Sequence, residues 1–508
     1  MQLITTRHNL IIFATVVLIQ TCLLAGFLQA GACRRPYYVT DYGAVGDGKT
    51  INTRVLQCVI NACADSGGGT VYFPSGEYLT GTLVLRDNIT LHLEAGAVLL
   101  GSTNIKDYKV KNPEFRSYAH VNYVDKSLIY AEKVQNIAIE GRGTIDGQGG
   151  NKAFRTTKRK MRPFLIRMIE CNNVMIRDIT LKDSPMWVQH YLACENVHIN
   201  GITVRSTINL NNDGIDIDCC DNVRIANCDI VSGDDAIVLK STAPRPCRRI
   251  SINNCTLRSL CNAIKCGTES TGGFEDINII NCSVYDTHLS GIALEIVDGG
   301  KLDRVLVSNI TMVNTRNAIF VRLGNRARPY LVEGPGGPSG TFVPDDKLPQ
   351  PGVGSLSNVT ISNVTATGVD KIGCSITGLA NNPVKNITLD NIRITFEGGG
   401  ERDLVHRTIP ESETSYPEYT IFGVLPSYGF YCRHANKVQF NNVHLDYKRP
   451  EHRPALLCED VDGLQLIGLR AQAPLSGNTI RLQDVKNFSQ TDSIENRKSE
   501  KDQLSAMD

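Results

Sequence analysis

Three carboxylates and one amide occupy positions that could share a single reactive patch: Asp213, Asp234, Asp235 and Asn262. Five segments carry them or align with them: Asp213-Gly-Ile-Asp-Ile-Asp, Asp235-Ala-Ile-Val-Leu-Lys, Asn262-Ala-Ile-Lys-Cys-Gly, Ser290-Gly-Ile-Ala-Leu-Glu and Asn317-Ala-Ile-Phe-Val-Arg. Their common pattern is polar, small, Ile, variable, mostly apolar, variable, and their starts are 22, 27, 28 and 27 residues apart. A repeat of that length holding one short strand per period is the mark of a stacked solenoid. Strands in neighbouring coils lie about 4.8 Å apart. The register therefore sets Asp213, Asp235 and Asn262 in one column, with Asp234 beside its middle member. Clustered carboxylates suit general acid–base work, because like charges at that range cannot all ionise. One carboxyl keeps a proton to donate while the others can draw a proton from water. Residue types alone leave open which one keeps it. The competing reading is a ladder of Asp residues capping turns, but two consecutive Asp after Gly233 in register with a third argue against it.

Strand alternation assigns the neighbours. Ile215, Ile217, Ile237, Leu239, Ile264 and Leu294 point one way and form the core. Asp216, Asp218, Lys240, Lys265 and Glu295 point the other way, onto the face of the cluster. Arg322 joins them, as does His190, which the repeat places beside Asp218. His190, Asn262, Lys240, Lys265, Glu295 and Arg322 are the expected substrate-binding set. Trp187 aligns with Ile215 and is expected in the core. The stretch Lys152 to Arg162 (Lys152, Arg155, Lys158, Arg159, Lys160 and Arg162) would either steer an acidic polymer or form a solvated loop.

The elements that must hold this column are short strands and tight turns. A helix is expected from about Thr53 to Ala64, ended by Ser66-Gly-Gly-Gly, covering the first coil's open edge. Asn200, Asn227, Asn254, Asn281 and Asn309 recur at 27, 27, 27 and 28 residues. Asn accepts the left-handed backbone of a corner, and stacked Asn side chains can bond from coil to coil. Five extra residues in Ser206-Thr-Ile-Asn-Leu-Asn-Asn bulge beside Asp213 and would shape a site wall. Two inserts, Gly324 to Ser357 and Glu397 to Arg433, are expected to border the groove. The tail after Asn487 lacks periodicity and is expected to be disordered.

With 53 basic and 52 acidic residues the chain has almost no net charge, which argues against nucleic acid as a partner. Arg7 and His8 precede an apolar run from Leu10 to Leu28, and Ala30, Gly31 and Ala32 follow. This reads as a cleavable export signal over residues 1–32, with a membrane anchor or a lipid on Cys33 as the alternatives. Cys228, Cys255 and Cys282 fall at the same point of successive coils and should stack inside as small apolar side chains. No Cys or His spacing suits zinc, so neither a metal nor a cofactor is expected. The solenoid is expected to span residues 37–486 and to act as a monomer.

Gly233-Asp-Asp, with the Asp of Asn211-Asn-Asp-Gly-Ile-Asp lying 21 residues before Asp234, resembles the polygalacturonase family, glycoside hydrolase family 28. Gly143-Thr-Ile-Asp-Gly-Gln-Gly, Arg162-Pro-Phe-Leu-Ile, Ser184-Pro-Met-Trp-Val-Gln-His and Asp41-Tyr-Gly-Ala-Val-Gly-Asp-Gly extend the likeness over about residues 37 to 470. The resemblance implies an all-β, single-stranded right-handed parallel β-helix that hydrolyses pectic polysaccharide with inversion at the anomeric carbon. It also implies that Asp234 is the general acid and that Asp213 and Asp235 activate the attacking water. Two family motifs are replaced. Cys261-Asn-Ala stands for Gly-His-Gly, and Ala293-Leu-Glu stands for Arg-Ile-Lys. Glu295 would repel galacturonate, and Glu295→Lys is expected to raise affinity for it. Rhamnogalacturonan hydrolysis is therefore the alternative activity, followed by a non-catalytic glycan-binding β-helix. A lyase would need a base near the uronate α-proton, and the Asp column has no Lys or Arg.

Overall fold

The structure, a computed structural model, describes residues 36–117, 125–155, 161–333, 342–344, 346–347, 350–492 and 494–496. The expected export signal and the basic residues Lys158, Arg159 and Lys160 lie outside the described residues.

The chain winds into a right-handed parallel β-helix, the hand that parallel crossovers take. Each regular coil carries three strands, for example Ile215–Asp218, Asp221–Ala226 and Asp229–Ser232. Each pairs in parallel with its counterpart one coil on, in Ile237–Ser241, Cys247–Asn253 and Thr256–Ser259. The first strand of the three builds the sheet that carries the Asp column. The helix Thr53–Asp65 forms where expected. Its apolar residues Leu56, Val59, Ile60 and Cys63 recur at helical spacing, so one stripe is buried in the core at the first coils.

Asn residues make the corners. Asn227, Asn254, Asn281 and Asn309 are left-handed, with φ between 52° and 59°. In the coil of Asn200 the corner is instead Gly201, at φ 67°. The amides bond along the stack: Asn227 donates to Asn200 at 2.7 Å, Asn254 to Asn227 at 2.7 Å and Asn309 to Asn281 at 3.0 Å. Asn281 breaks step and donates to Asn253 at 2.9 Å. Cys228, Cys255 and Cys282 are buried in a column just past these corners, as their spacing predicts.

The six predicted inward residues, Ile215 to Leu294, have no exposed surface. Their neighbours are coils above and below, which cannot collapse into a void without breaking strand register. Ile237→Ala is therefore expected to lower stability by about 2–5 kcal/mol, read as a lower denaturant midpoint with an unchanged slope.

One expectation needs correction. The coil continues past residue 486: Ser489–Thr491 pairs with Gln465–Ile467, and Ile494–Asn496 pairs with Arg470–Gln472. Polar residues extend a strand at the edge of a finished stack because the ladder bonds come from the preceding coil, so the missing apolar pattern does not end the coil at 486; residues 497–508 lie outside the described residues. The outer face of the site sheet is covered beyond the column. From Ala293 onward its outward residues Phe320, Tyr431 and Leu457 join Tyr419, Phe422 and Leu425 of the second insert in a separate buried apolar cluster. The first insert forms a short hairpin, Leu331–Glu333 against Phe342–Pro344.

Candidate active site

The predicted column exists. Gly214 N bonds Asp235 O at 2.9 Å, Ala236 N bonds Asn262 O at 2.9 Å and Ala263 N bonds Ser290 O at 2.9 Å. Asp213, Asp235, Asn262 and Ser290 thus occupy successive rungs. Gly214 makes the close approach possible, since a Cβ there would lie 2.5 Å from Ala236 O. Gly233 lacks a side chain for a similar reason: its Cβ would lie 3.1 Å from Thr207 Cα, in the bulge that walls the site.

Asp234 is half-buried, whereas Asp213 and Asp235 are 3% and 4% exposed. Asp234 Oδ1 accepts from Asp235 N at 3.0 Å, and its Oδ2 lies 3.5 Å from Asn211 Nδ2 on the bulge. Asn262 clamps Asp235: its N and Nδ2 donate to Asp235 Oδ1 at 3.1 and 2.8 Å. Oxygens of Asp234 and Asp235 and the thiol of Cys261 lie within 4.8 Å of one another. Solvent reaches this cluster along Asn211, Asp234, Cys261 and Leu210, the last 78% exposed.

Two buried ammonium groups hold six carboxyls. Lys240 Nζ lies 3.9 Å from Asp213, 3.6 Å from Asp216 and 3.4 Å from Glu269. Lys265 Nζ lies 3.7 Å from Asp235, 3.7 Å from Glu295 and 2.6 Å from Glu418. Arg328 adds a guanidinium 3.9 Å from Glu269, but the acids remain in excess, and burial with mutual repulsion favours their protonated forms. Burial raises the pKa of Asp213 well above the carboxylate range, with Asp234 and Asp216 adding to it. Burial also raises Asp234, and the charge of Asp235 raises it further. Asp216 and Glu295 are raised by burial against the opposing pull of Lys240 and Lys265 respectively. Between the ordinary carboxylate pKa and these raised values the folded protein binds more protons than the unfolded chain. Stability is therefore expected to be greatest on the acid side and to fall as pH rises through that window. Melting temperatures measured across pH should show this slope, and Glu295→Gln should flatten it.

The structure moves several predicted residues away from the groove. Asn262, Lys240 and Lys265 stand at the cluster. His190 is fully buried; it pairs with Asp216 across the ladder, and its Nε2 reaches Asp218 at 3.2 Å. Burial raises the Asp218 pKa, but hydrogen bonds from His190 and Thr242 more than offset this and leave it below the ordinary value. Trp187 is buried, at 2% exposure, but outside the main apolar cluster and not through alignment with Ile215. Val188 N bonds Asp213 O at 2.8 Å, which places Trp187 one rung from Asp213, with Lys240 Nζ 4.8 Å from its ring centre. Arg322 donates to Gly378 O and Glu411 O and so fastens the second insert. Arg162 is likewise structural, donating to Leu210 O at 2.6 Å and to Asn211 Oδ1 at 3.0 Å. Glu295 is sealed beneath Lys265. Glu295→Lys would therefore bury a second ammonium group beside Lys265, and the expected outcome changes from tighter binding to lost stability.

Sequence reasoning missed Glu418 and Tyr416. Glu418 accepts from Asn262 Nδ2 at 3.1 Å and from Lys265 Nζ at 2.6 Å, across 156 and 153 residues. Tyr416 sets its ring 5.3 Å from Lys265 Nζ. Neither lies in a repeat, so no periodicity could have found them.

A family model described as "Glycosyl hydrolases family 28" matches residues 63–412. The chain belongs to this family. A probable polygalacturonase from Vitis vinifera is 34% identical over 56% of this chain and 62% of its own length. An exo-poly-alpha-D-galacturonosidase from Dickeya chrysanthemi is 28% identical over 39% of this chain and 41% of its own length. The chain thus spans less than two thirds of the length of these two relatives. Among solved structures, a hyperthermoactive exopolygalacturonase from Thermotoga maritima superposes with a TM-score of 0.61 at 22% identity, covering 82% of this chain and 93% of that one. A polygalacturonase from Erwinia carotovora gives 0.55 at 22% identity, over 71% and 93%. These likenesses agree with the parallel β-helix. For a family 28 chain, the departures at Asn262 and Glu295 fall on the column and beneath Lys265.

Proposed function

We propose that this chain is an exported glycoside hydrolase that cleaves pectic polysaccharide by single displacement with inversion. Asp234 is the general acid: it is the most solvent-accessible of the three carboxyls, and its raised pKa lets it keep a proton for the leaving glycosidic oxygen. Asp213 and Asp235 hold the attacking water from adjacent rungs; Asp213, whose own pKa is raised well above the carboxylate range, positions it, and Asp235 takes its proton. The observation that carries this reading is the shared rung geometry of Asp213 and Asp235 with Asp234 alongside. An inverting pair needs room for a water between acid and base. Export rests on the apolar run after Arg7.

The charge census favours one refinement. A galacturonate carboxylate bound near Lys265 would join Asp235, Glu295 and Glu418, three acids that already share that one ammonium group. A neutral sugar at that subsite, as in the rhamnose-containing backbone of rhamnogalacturonan, avoids that repulsion. The test is incubation with polygalacturonan and with rhamnogalacturonan, following new reducing ends and the anomeric configuration of the first product by NMR. Release of inverted product from either polymer is the expected result, with rhamnogalacturonan the faster substrate. Retained configuration would overturn the assignment of Asp213 and Asp235, and absence of new reducing ends would leave a glycan-binding solenoid. If acid and base act as assigned, activity should fall as pH rises past the raised pKa of Asp234, because its donor form is lost.

A further inference from the structure

The outer face of the site sheet is where a polysaccharide would lie, running along the coil axis with about one sugar per coil step. On the C-terminal side of the column that path is filled. The ladder row that continues from Lys265 is Ala293, Phe320, Ser375, Tyr431 and Leu457. Phe320, Tyr431 and Leu457 are buried under Tyr419, Phe422 and Leu425 of the second insert. The insert is fastened rather than draped. Leu425 N donates to Ile372 O at 3.0 Å, Asn325 N to Glu413 O at 2.6 Å, and Arg433 to Ile409 O at 2.7 Å. Its leading edge stops at the column itself, where Glu418 bonds Asn262 and Lys265. Tyr416 stands beside it, 55% exposed, with Lys265 Nζ 5.3 Å and Arg326 Cζ 5.6 Å from its ring centre.

We propose that the second insert is a fixed plug that makes this an end-acting hydrolase, with Glu418 and Tyr416 the residues that meet the terminal sugar. The proposal rests on the hydrolase reading above. A chain threaded past Asp234 meets the Glu418 carboxylate within about one sugar of the scissile bond, so only a chain end fits there. Glu418 offers oxygens to the hydroxyls of that sugar, and the flat apolar face of a sugar ring can stack on the Tyr416 ring. Because these five backbone and side-chain bonds and an apolar cluster hold the insert, it does not need to open for turnover.

The probes are polygalacturonan and rhamnogalacturonan, each supplied with free ends and with both ends chemically blocked. On free-ended polymer the expected result is one short product from the earliest times, with viscosity nearly unchanged while reducing ends accumulate. Blocking the ends should abolish release. Cleavage of the blocked polymer, or an early collapse in viscosity with a spread of fragment lengths, would overturn the plug while leaving the hydrolase reading intact. Failure to release reducing ends from any free-ended polymer would overturn the hydrolase reading and this proposal with it. Glu418→Ala and Tyr416→Ala are each expected to lower kcat/KM on short free-ended oligomers by about tenfold or more, chiefly through KM. Unchanged KM in both folded variants would remove these two residues from the terminal subsite. The blocked-polymer test needs only the unmodified protein, so a variant that fails to fold does not shield the proposal.

Discussion

Asp234→Asn is expected to abolish glycosidic cleavage while leaving the melting transition unchanged or slightly raised. The shape survives because the side chain of Asn keeps an oxygen to accept from Asp235 N, the 3.0 Å bond that orients it. The fold does not need the charge, since burial and the neighbouring Asp235 already disfavour ionisation there. What disappears is the proton for the leaving oxygen, a contribution of about 10²- to 10⁴-fold in rate. The alkaline fall in activity should vanish with it, because an amide does not titrate. Steady-state rates on an active polymer, together with a thermal melt of the same sample, make the check. A variant within tenfold of the parent rate, still showing the alkaline limb, would remove Asp234 from the reaction.

Arg453→Met is expected to cost about 3–5 kcal/mol, the range found when one member of a buried ion pair is deleted. Arg453 and Glu451 have no exposed surface and meet through two bonds, Nε to Oε1 at 2.9 Å and Nη2 to Oε2 at 2.7 Å. The pair also ties both ends of the second insert to the stack. Glu451 Oε2 accepts from Gly400 N at 3.0 Å, and Arg453 Nη1 donates to Leu425 O at 2.8 Å. Loss of the guanidinium strands a carboxylate in the interior and frees the insert that carries Glu418. Activity should therefore fall together with stability, although residue 453 lies far along the chain from Asp234. The double variant Glu451→Met, Arg453→Met should recover part of the loss, because no buried charge then lacks a partner. Urea unfolding of the parent and three variants reads the cycle. A single-variant cost under about 1 kcal/mol would mean that the pair is solvated in solution.

A solenoid repeats its backbone, so any periodic property of the chain translates directly into position. That is why five six-residue segments sufficed to place Asp213, Asp235, Asn262 and Ser290 on successive rungs. The same periodicity set the Asn corners, the Cys228 column and the inward Ile and Leu residues. The helix was equally legible, because its apolar residues recur at 3–4 positions and end at three glycines. The register failed only where the repeat was interrupted. Trp187 was misaligned because its coil reaches the next column through the bulge of residues 206–212.

The sequence by itself determined the coil, the column and the chemistry that clustered carboxylates can do, since each follows from spacing within about 30 residues of chain. Only the tertiary structure decided which of those groups stay accessible at the column and which are sealed. Glu418 reaches Asn262 from 156 residues away, and the insert that carries it turns half of the site sheet into a second core. His190, Glu295 and Arg322 were expected at the surface because alternation assigns a side chain to one side of a sheet. Alternation is a local property of the backbone, whereas what covers that side depends on a loop with no repeat to reveal where it lands.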